Sequence, residues 1–589
     1  MKRFLITTAE EKLWQFDGPV IFLGEWCKKY SREIVWGNIN GTVAQSYGVS
    51  LKEKNQDFQL VRKLETELLP KLTNALNSIH GTSYSLDFWC TLVGHWLRSY
   101  LKIIVNRVHT LESVLRETHI SGANFSELIE EEMAPIDLRD FHYNSLRSNN
   151  FNSMLDFKIL SSFKEIDFPL NQVSISSRNL KIGSAESTSN QVHQKTKISN
   201  MLKKGSNFFC RDNEPFISTT YLPRNTEIKF QLSYLQTPKF WEDDLSYSCS
   251  SKFSQHYRDQ LSHKWSVKNS LEHKYLNLLP YMLPISYLEG FEEMLSQVNQ
   301  TNWPKNPKFI FTSNLFAYSE LFKFYSALKK EDGVTYFLGQ HGSQYGTQML
   351  PETDIEHKVS SKFLTWGWAS SRTNDIPAFC LKIAGRKKKN SQSGYLLLVQ
   401  APLGERIETW DTNKVYELYF SDQLTFIGSI ALDLSKDLLI RLHSDPSKDF
   451  FETERRLKDY QTELNIESGI VNIWQLIEQS RLVVFTYDST GFLECLALNI
   501  PTLAFWQSDM QHLNEESKGF YQILVDAGII YFHPETIANK VNEIWSDVET
   551  WWQSPVVQIA REKFSSQYAR TSKKPIRDLR RIIRENLTN

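Results

Sequence analysis

Three short stretches of this 589-residue chain set chemistry-bearing side chains where an apolar strand gives way to a turn. The first, Asp488-Ser489-Thr490-Gly491-Phe492-Leu493-Glu494, follows the run RLVVFTY and opens a helical pattern. Small hydroxyls and a glycine at a helix N-terminus leave backbone N–H groups open to a phosphate, and the helix dipole favours negative charge there. Asp, Ser and Thr are also preferred N-caps with no ligand at all, so both readings stand. The second is Gly339-Gln340-His341-Gly342-Ser343-Gln344-Tyr345-Gly346. Its glycines let backbone come close to a ligand, Gln340 supplies donors, and His341 can move a proton near neutral pH. The alternative is a glycine-rich turn around a hydrogen-bonded histidine. The third, Arg441-Leu442-His443-Ser444-Asp445-Pro446, puts His443 beside Asp445 and suits phosphate contact, or else is a capped turn. A fourth turn, Gly24-Glu25-Trp26-Cys27, adds Glu25, which can serve as general base for a hydroxyl or can be structural.

These turns matter because ligands of open parallel sheets bind beyond the carboxyl ends of the strands. The elements that position them follow from periodicity. Arg3–Thr8 and Pro19–Cys27 read as strands; Asp57–Ser78 and Leu86–Val105 carry apolar residues at helical spacing. From about Phe141 to Thr226 the period fades and Ser and Asn become dense, which predicts an irregular insertion. Strands then return at Lys308–Thr312, Val334–Leu338 and Lys362–Trp366. Beyond the polar stretch Gly385–Ser393, read as a linker, come Tyr395–Gln400, Asp437–Leu442, Leu482–Thr486 and Thr502–Phe505. Apolar strands alternating with helices predict doubly wound parallel sheets. The expected organisation is an N-terminal α/β domain over 1–385, with the insertion at about 141–226. A C-terminal Rossmann-like domain follows over 394–555, then a basic helical segment over 556–589 that can cross back to the first domain.

Composition narrows the function. Lys+Arg is 67 against 68 Asp+Glu, so no overall basic excess marks a nucleic-acid binder. The six cysteines form no CxxC pair, which argues against a zinc site or a disulfide framework. No Gly-rich P-loop occurs, and no cofactor or metal is expected. The N-terminus reads as a strand and no run of about 18 apolar residues occurs, so a cytoplasmic protein is expected. The basic stretch Arg561–Arg584 can lie on anionic lipid at the inner membrane or form a solvated face.

FLGEWC, GQHGSQYG with FLTWGW, and DSTGFLECLALNIPTLAFW, in that order, resemble the transferase family found in bacterial O-antigen biosynthesis regions. The likeness runs from about Lys2 to Trp506. It implies an α/β GT-B-like glycosyltransferase, two Rossmann-like domains facing a cleft. A nucleotide-sugar donor would lie on the C-terminal unit and a glycan or lipid-linked glycan acceptor on the N-terminal one. A looser likeness to enzymes using CMP-activated ulosonic acids such as Kdo rests on His443 through Pro446 and Ser489-Thr490. On this reading His341 and Glu25 are catalytic. Gln340, Gly342, His443, Asp445, Ser489, Thr490, Gly491 and Glu494 hold the donor. A nucleotide-sugar epimerase or hydrolase of the same fold, and a non-catalytic glycan-binding or assembly scaffold, are the rivals.

Overall fold

The computed structural model describes residues 1–175, 210–241, 247–264, 270–349, 352–401, 416–443, 451–507 and 509–587. Its strands form three wholly parallel sheets. Sheet one contains β1 (Arg3–Ile6), β2 (Val20–Phe22), β3 (Gly41–Val43), β4 (Ile120–Ser126) and β5 (Leu170–Val173), in the order β3-β2-β1-β4-β5. Sheet two contains β6 (Phe216–Ile217), β7 (Ile310–Thr312), β8 (Tyr336–Gly339), β9 (Lys362–Thr365) and β10 (Asp375–Pro377), in the order β10-β9-β8-β7-β6. Sheet three contains β11 (Tyr395–Val399), β12 (Leu438–Arg441), β13 (Ile466–Glu467), β14 (Ser480–Phe485), β15 (Thr502–Phe505) and β16 (Ile530–Tyr531). Its order is β13-β12-β11-β14-β15-β16. Central strands such as Leu396-Leu397-Leu398 and Leu482-Val483-Val484 are buried on both faces, which is why their sequences read as unbroken apolar runs.

The α/β class with parallel sheets is therefore the observed one, and β11 lies in a different sheet from β7, as two separate units require. Residues before 385 hold two sheets where the periodicity suggested one unit. Helix Leu86–Glu117 lies between them, buried almost all round. A helix apolar on every side is one that packs in the interior. Its partner Leu51–His80 starts at a capping box of Ser50 and Glu53 and stops at Gly81, whose φ of 64° is left-handed. Glu65 on one helix is paired with buried Arg98 on the other, and its second oxygen is 3.2 Å from Lys358 near sheet two.

The expected irregular insertion is largely regular where it is described. Helices Leu138–Arg147 and Asn149–Ser161 are followed by β5, and helix Arg224–Leu232 follows β6. Of the Ser and Asn residues that broke the period, Ser148 is a cap, its Oγ accepting from Phe151 N, and Phe151, Met154, Leu155, Ile159 and Leu160 fill the core behind it. Residues 176–209 lie outside the described residues.

The stretch Gly385–Ser393 is pinned to sheet three's unit, with Arg386 stacked 4.2 Å over Trp474 and 3.4 Å from Glu478. It is one of several links between the units. Helix Pro575–Asn586 crosses back and buries Leu579, Ile582 and Ile583 in one cluster with Phe311 and Phe337 of sheet two and Phe230 of helix Arg224–Leu232. Cleavage of the linker alone would leave that apolar packing in place.

One consequence is a pH dependence of stability. His80 closes its helix with the ring stacked 4.2 Å from Phe291 and Nε2 3.1 Å from the Tyr287 carbonyl. Burial lowers its pKa from 6.5 to about 4. Between those values the unfolded chain binds a proton that the folded chain does not, so stability falls as pH drops from 6.5 towards 4. Buried His95 shifts in the same direction. A His80→Gln variant should show a shallower loss of denaturation midpoint over that range than the parent. Identical slopes would mean that His80 titrates normally.

Candidate functional site

At the carboxyl end of β8 the chain enters the glycine-rich turn. Gln340 is buried and its amide is engaged on both sides: Nε2 donates to the Gly342 carbonyl at 2.8 Å, and Oε1 accepts from Trp366 N at 2.8 Å and Trp368 Nε1 at 2.9 Å. These bonds shape the turn. His341 follows, partly exposed, with its ring walled by Tyr221 stacked at 5.9 Å, Phe316 at 6.2 Å and Tyr345 at 5.1 Å. Its Nε2 is 2.5 Å from Tyr345 Oη. That hydroxyl also reaches both oxygens of buried Glu356, at 2.6 and 2.7 Å. A phenol has one hydrogen, and here it goes to the carboxylate, so His341 Nε2–H donates to Tyr345 Oη. His341 Nδ1 then carries the free lone pair. A carboxylate acting through a phenol on one imidazole nitrogen makes the other a proton acceptor, which is the arrangement a general base requires.

At the carboxyl end of β14, Ser489 is the N-cap of helix Thr490–Ala497: its Oγ accepts from Phe492 N at 3.1 Å. The capping alternative is thus realised at Ser489, worth about 1 kcal/mol. Thr490 does something different. Its Oγ1 accepts from Ser343 N at 3.1 Å, across the units, and a side chain on Gly342 would place Cβ 3.6 Å from the same oxygen. The two turns singled out from sequence therefore meet directly. Gly491 packs tightly on Phe485, where an added Cβ would lie 2.8 Å from the ring. Glu494 faces away from the turn: it is buried, burial raises its pKa, and Lys382 Nζ of sheet two's unit lies 3.2 Å from it. It is an ion-pair anchor between units, and nothing in its contacts points to a donor.

The remaining candidates are dispersed. Glu25 stands in the turn after β2 of sheet one, paired with Lys28 at 3.1 Å. His443 follows β12 and is half-buried; Asp445, with Ser444 and Pro446, lies outside the described residues, as does the acidic stretch 242–244. The structure thus joins His341, Gly342, Thr490 and Ser489 at one place and does not bring Glu25 into contact with them.

A family model matches residues 3–583, and its description is LIC12162 family transferase. The chain belongs to this family of transferases. No curated protein matches it. Solved structures with local similarity include the spinosyn rhamnosyltransferase SpnG complexed with spinosyn aglycone, at 12% identity over 50% of this chain and 76% of that one, with a TM-score of 0.28. Others are Acinetobacter baumannii MurG, at 10% over 50% and 77% with 0.28, and Anabaena Alr3699/HepE in complex with UDP and glucose, at 11% over 53% and 88% with 0.31.

The transferase also holds site residues that its sequence did not advertise. Tyr221, which covers His341, sits at φ 62° and Thr219 at φ 49°, two non-glycine left-handed residues at the end of β6. Each costs roughly 1–2 kcal/mol and persists only because neighbours fix it. Here Ser313 N and Oγ donate to the Thr219 and Thr220 carbonyls at 2.9 Å each, and Asn314 Nδ2 donates to Tyr221 Oη at 2.9 Å. Asp488 is a second such residue: its Oδ2 accepts from Gln348 at 2.9 Å, His512 at 3.1 Å and Tyr521 at 2.9 Å. Gln348 belongs to the His341 loop, so this carboxylate clamps the loop onto sheet three's unit. Asp488 was visible as a turn residue, but its three partners lie 24 to 140 residues away. Among the described residues no helix is long and apolar enough to cross a membrane.

Proposed function

We propose that the transferase moves a glycosyl group from a nucleotide-activated donor to a glycan or lipid-linked glycan hydroxyl in surface polysaccharide assembly. A CMP-linked ulosonic acid such as Kdo is the donor to try first. The observation that carries the reading is the meeting of the His341 turn with the Thr490 turn, in a chain of a transferase family. A proton acceptor and a helix N-terminus stand at one junction between two units, which is what glycosyl transfer needs at the acceptor hydroxyl and at the leaving phosphate. In the step itself the acceptor oxygen bonds to the anomeric carbon as the bond from that carbon to the phosphate oxygen breaks. His341 Nδ1 takes the acceptor's proton while Tyr345 and Glu356 hold the imidazole in place. The leaving phosphate gathers charge beside the N-terminus of helix Thr490–Ala497. His443, at the end of β12, is placed on the donor side. The exposed Arg577 and Arg581 of the last helix give a basic face suited to anionic lipid near a lipid-linked acceptor.

A thermal-shift series with CMP, UDP, GDP and dTDP tests the donor. At least one should raise Tm, because only binding to the native state stabilises it. Thr490→Val should then weaken that nucleotide by roughly 1–3 kcal/mol, the range of hydrogen bonds to a charged group. Ser489→Ala, by contrast, should lower stability by about 1 kcal/mol as a lost cap. If none of the four shifts Tm, the donor reading falls and a scaffold role takes its place. Rapid release of free sugar from a nucleotide sugar with no acceptor present would identify a hydrolase instead.

A further inference from the structure

Helix Glu352–Val359 carries two adjacent titratable residues that serve different places. Glu356 belongs to the His341 relay, whereas His357 lines a separate cavity of about 540 Å³. That cavity is bounded by all three units: Arg62 from helix Leu51–His80, Arg372 from the β9–β10 loop, and Asn514 at the start of helix Glu515–Asp526. Its volume is in the range of small-molecule sites.

His357 is arranged for contact with something in that space. Its Nδ1 is 2.5 Å from Asp375 Oδ1, and Ser370 Oγ donates to Asp375 Oδ2 at 2.5 Å. Both oxygens of a carboxylate whose side chain is fully buried are thereby used to fix one histidine tautomer, with the proton on Nδ1. The ring is further held 4.0 Å from Phe363. Nε2 is left as an acceptor for the cavity. A carboxylate–imidazole pair buried to this degree is costly to desolvate, and a core position would be served as well by an apolar residue. Arg62 and Arg372 both line the cavity, with Arg372 Nη1 4.0 Å from Asp375 Oδ2, and two guanidiniums against one lining carboxylate favour an anion. Arg62 is additionally stacked 4.3 Å over Phe58, which fixes the plane of its fork. Glu516 is the acidic residue that faces them.

We infer that this cavity is a second small-molecule site, taking a hydroxylated ring that bears a carboxylate or phosphate. The arginines grip the anion bidentately and His357 Nε2 accepts from a ring hydroxyl. The inference does not depend on the transfer reading, because its readout is the binding of an anion that carries no nucleotide, although Gly346 and Gln348 of the His341 loop also line the cavity.

Calorimetric titration of the full chain with glucuronate, glucose 1-phosphate and glucose tests it. One or both anionic probes should bind at millimolar or lower concentration and glucose at least tenfold more weakly; which of the two binds tells carboxylate from phosphate. Arg372→Met and His357→Gln should each lower that affinity tenfold or more, and Thr490→Val should leave it unchanged. Because Arg372 also lies 4.0 Å from buried Asp375, Arg62→Met, at an exposed position, is the second variant and should lower the affinity likewise even if Arg372→Met or His357→Gln disturbs the fold. In proton NMR the His357 ring signal, assigned by its loss in His357→Gln or by broadening against Arg372→Met, should move on addition of the probe. No binding by either anion, equal binding of glucose, affinity unchanged in Arg372→Met, or anion binding lost in Thr490→Val would overturn the proposal. A failure of the nucleotide series with these results intact would remove only the transfer reading.

Discussion

His341→Gln should leave the fold and nucleotide binding nearly intact while turnover falls on the order of 10²-fold or more. Glutamine keeps a hydrogen-bonding group that can reach Tyr345 Oη, so the link to Glu356 survives in part. It cannot take up a proton near neutral pH, so the step that needs Nδ1 as acceptor is lost. Steady-state rates and a melting curve on the same preparation decide the matter. A purely structural histidine predicts the opposite pairing, a lower Tm with activity reduced only in proportion to folded protein. Tyr345→Phe is a useful companion, since it removes the phenol between His341 and Glu356 without touching the imidazole and leaves only their direct 3.4 Å approach. It should also lower turnover, and by less, because orientation is weakened while the acceptor nitrogen remains. A stable His341→Gln enzyme with parental turnover would remove His341 from the chemistry.

Gly346→Ala should be the most destabilising conservative change in the site region, costing about 3 kcal/mol. Two independent terms add. Gly346 has φ 73°, where an L-residue pays roughly 1–2 kcal/mol. Its added Cβ would also lie 2.5 Å from the Trp368 indole. That ring cannot swing aside cheaply because its Nε1 donates to Gln340 Oε1 at 2.9 Å, and overpacking of this kind costs roughly 1–3 kcal/mol more. The strain falls on the loop whose Gly346 and Thr347 carbonyls accept from Asn514 Nδ2 at 3.0 Å and Asn514 N at 2.9 Å. Denaturant unfolding should show a lower midpoint, and the loss should exceed that of Gly81→Ala. Gly81 has φ 64° but open space around it, so it isolates the backbone term. Equal losses at the two positions would mean that Trp368 yields and that packing contributes nothing.

The sequence by itself determined the class of fold and the composition of the turns. Short β-branched and leucine-rich runs such as YLLLV and RLVVF between turn signals fit buried parallel strands, and a parallel strand must be followed by a crossover, so the alternation of strand and helix was readable. The cap at Ser489 was legible for the same local reason, whereas the helix read from Asp57 begins at Leu51 and the one read to Val105 runs to Glu117. Ser148 misled, because a cap residue and a loop residue look alike until the apolar set behind it finds a wall to pack on. Everything long-range was decided by tertiary structure. That residues before 385 make two sheets depends on which strands share hydrogen bonds, and on helix Leu86–Glu117 being buried between them. That Gln340 and Glu494 are committed to the framework follows from Trp366, Trp368 and Lys382, none of them near in the chain. That His341 has Glu356 behind it and Thr490 near it, while His357 one residue along faces another cavity, rests on contacts spanning 11 to 147 residues. Local spacing fixes what a residue can do. Which of those capacities is used depends on which partners reach it, and those partners are brought together only when apolar surfaces far apart in the chain are buried against one another.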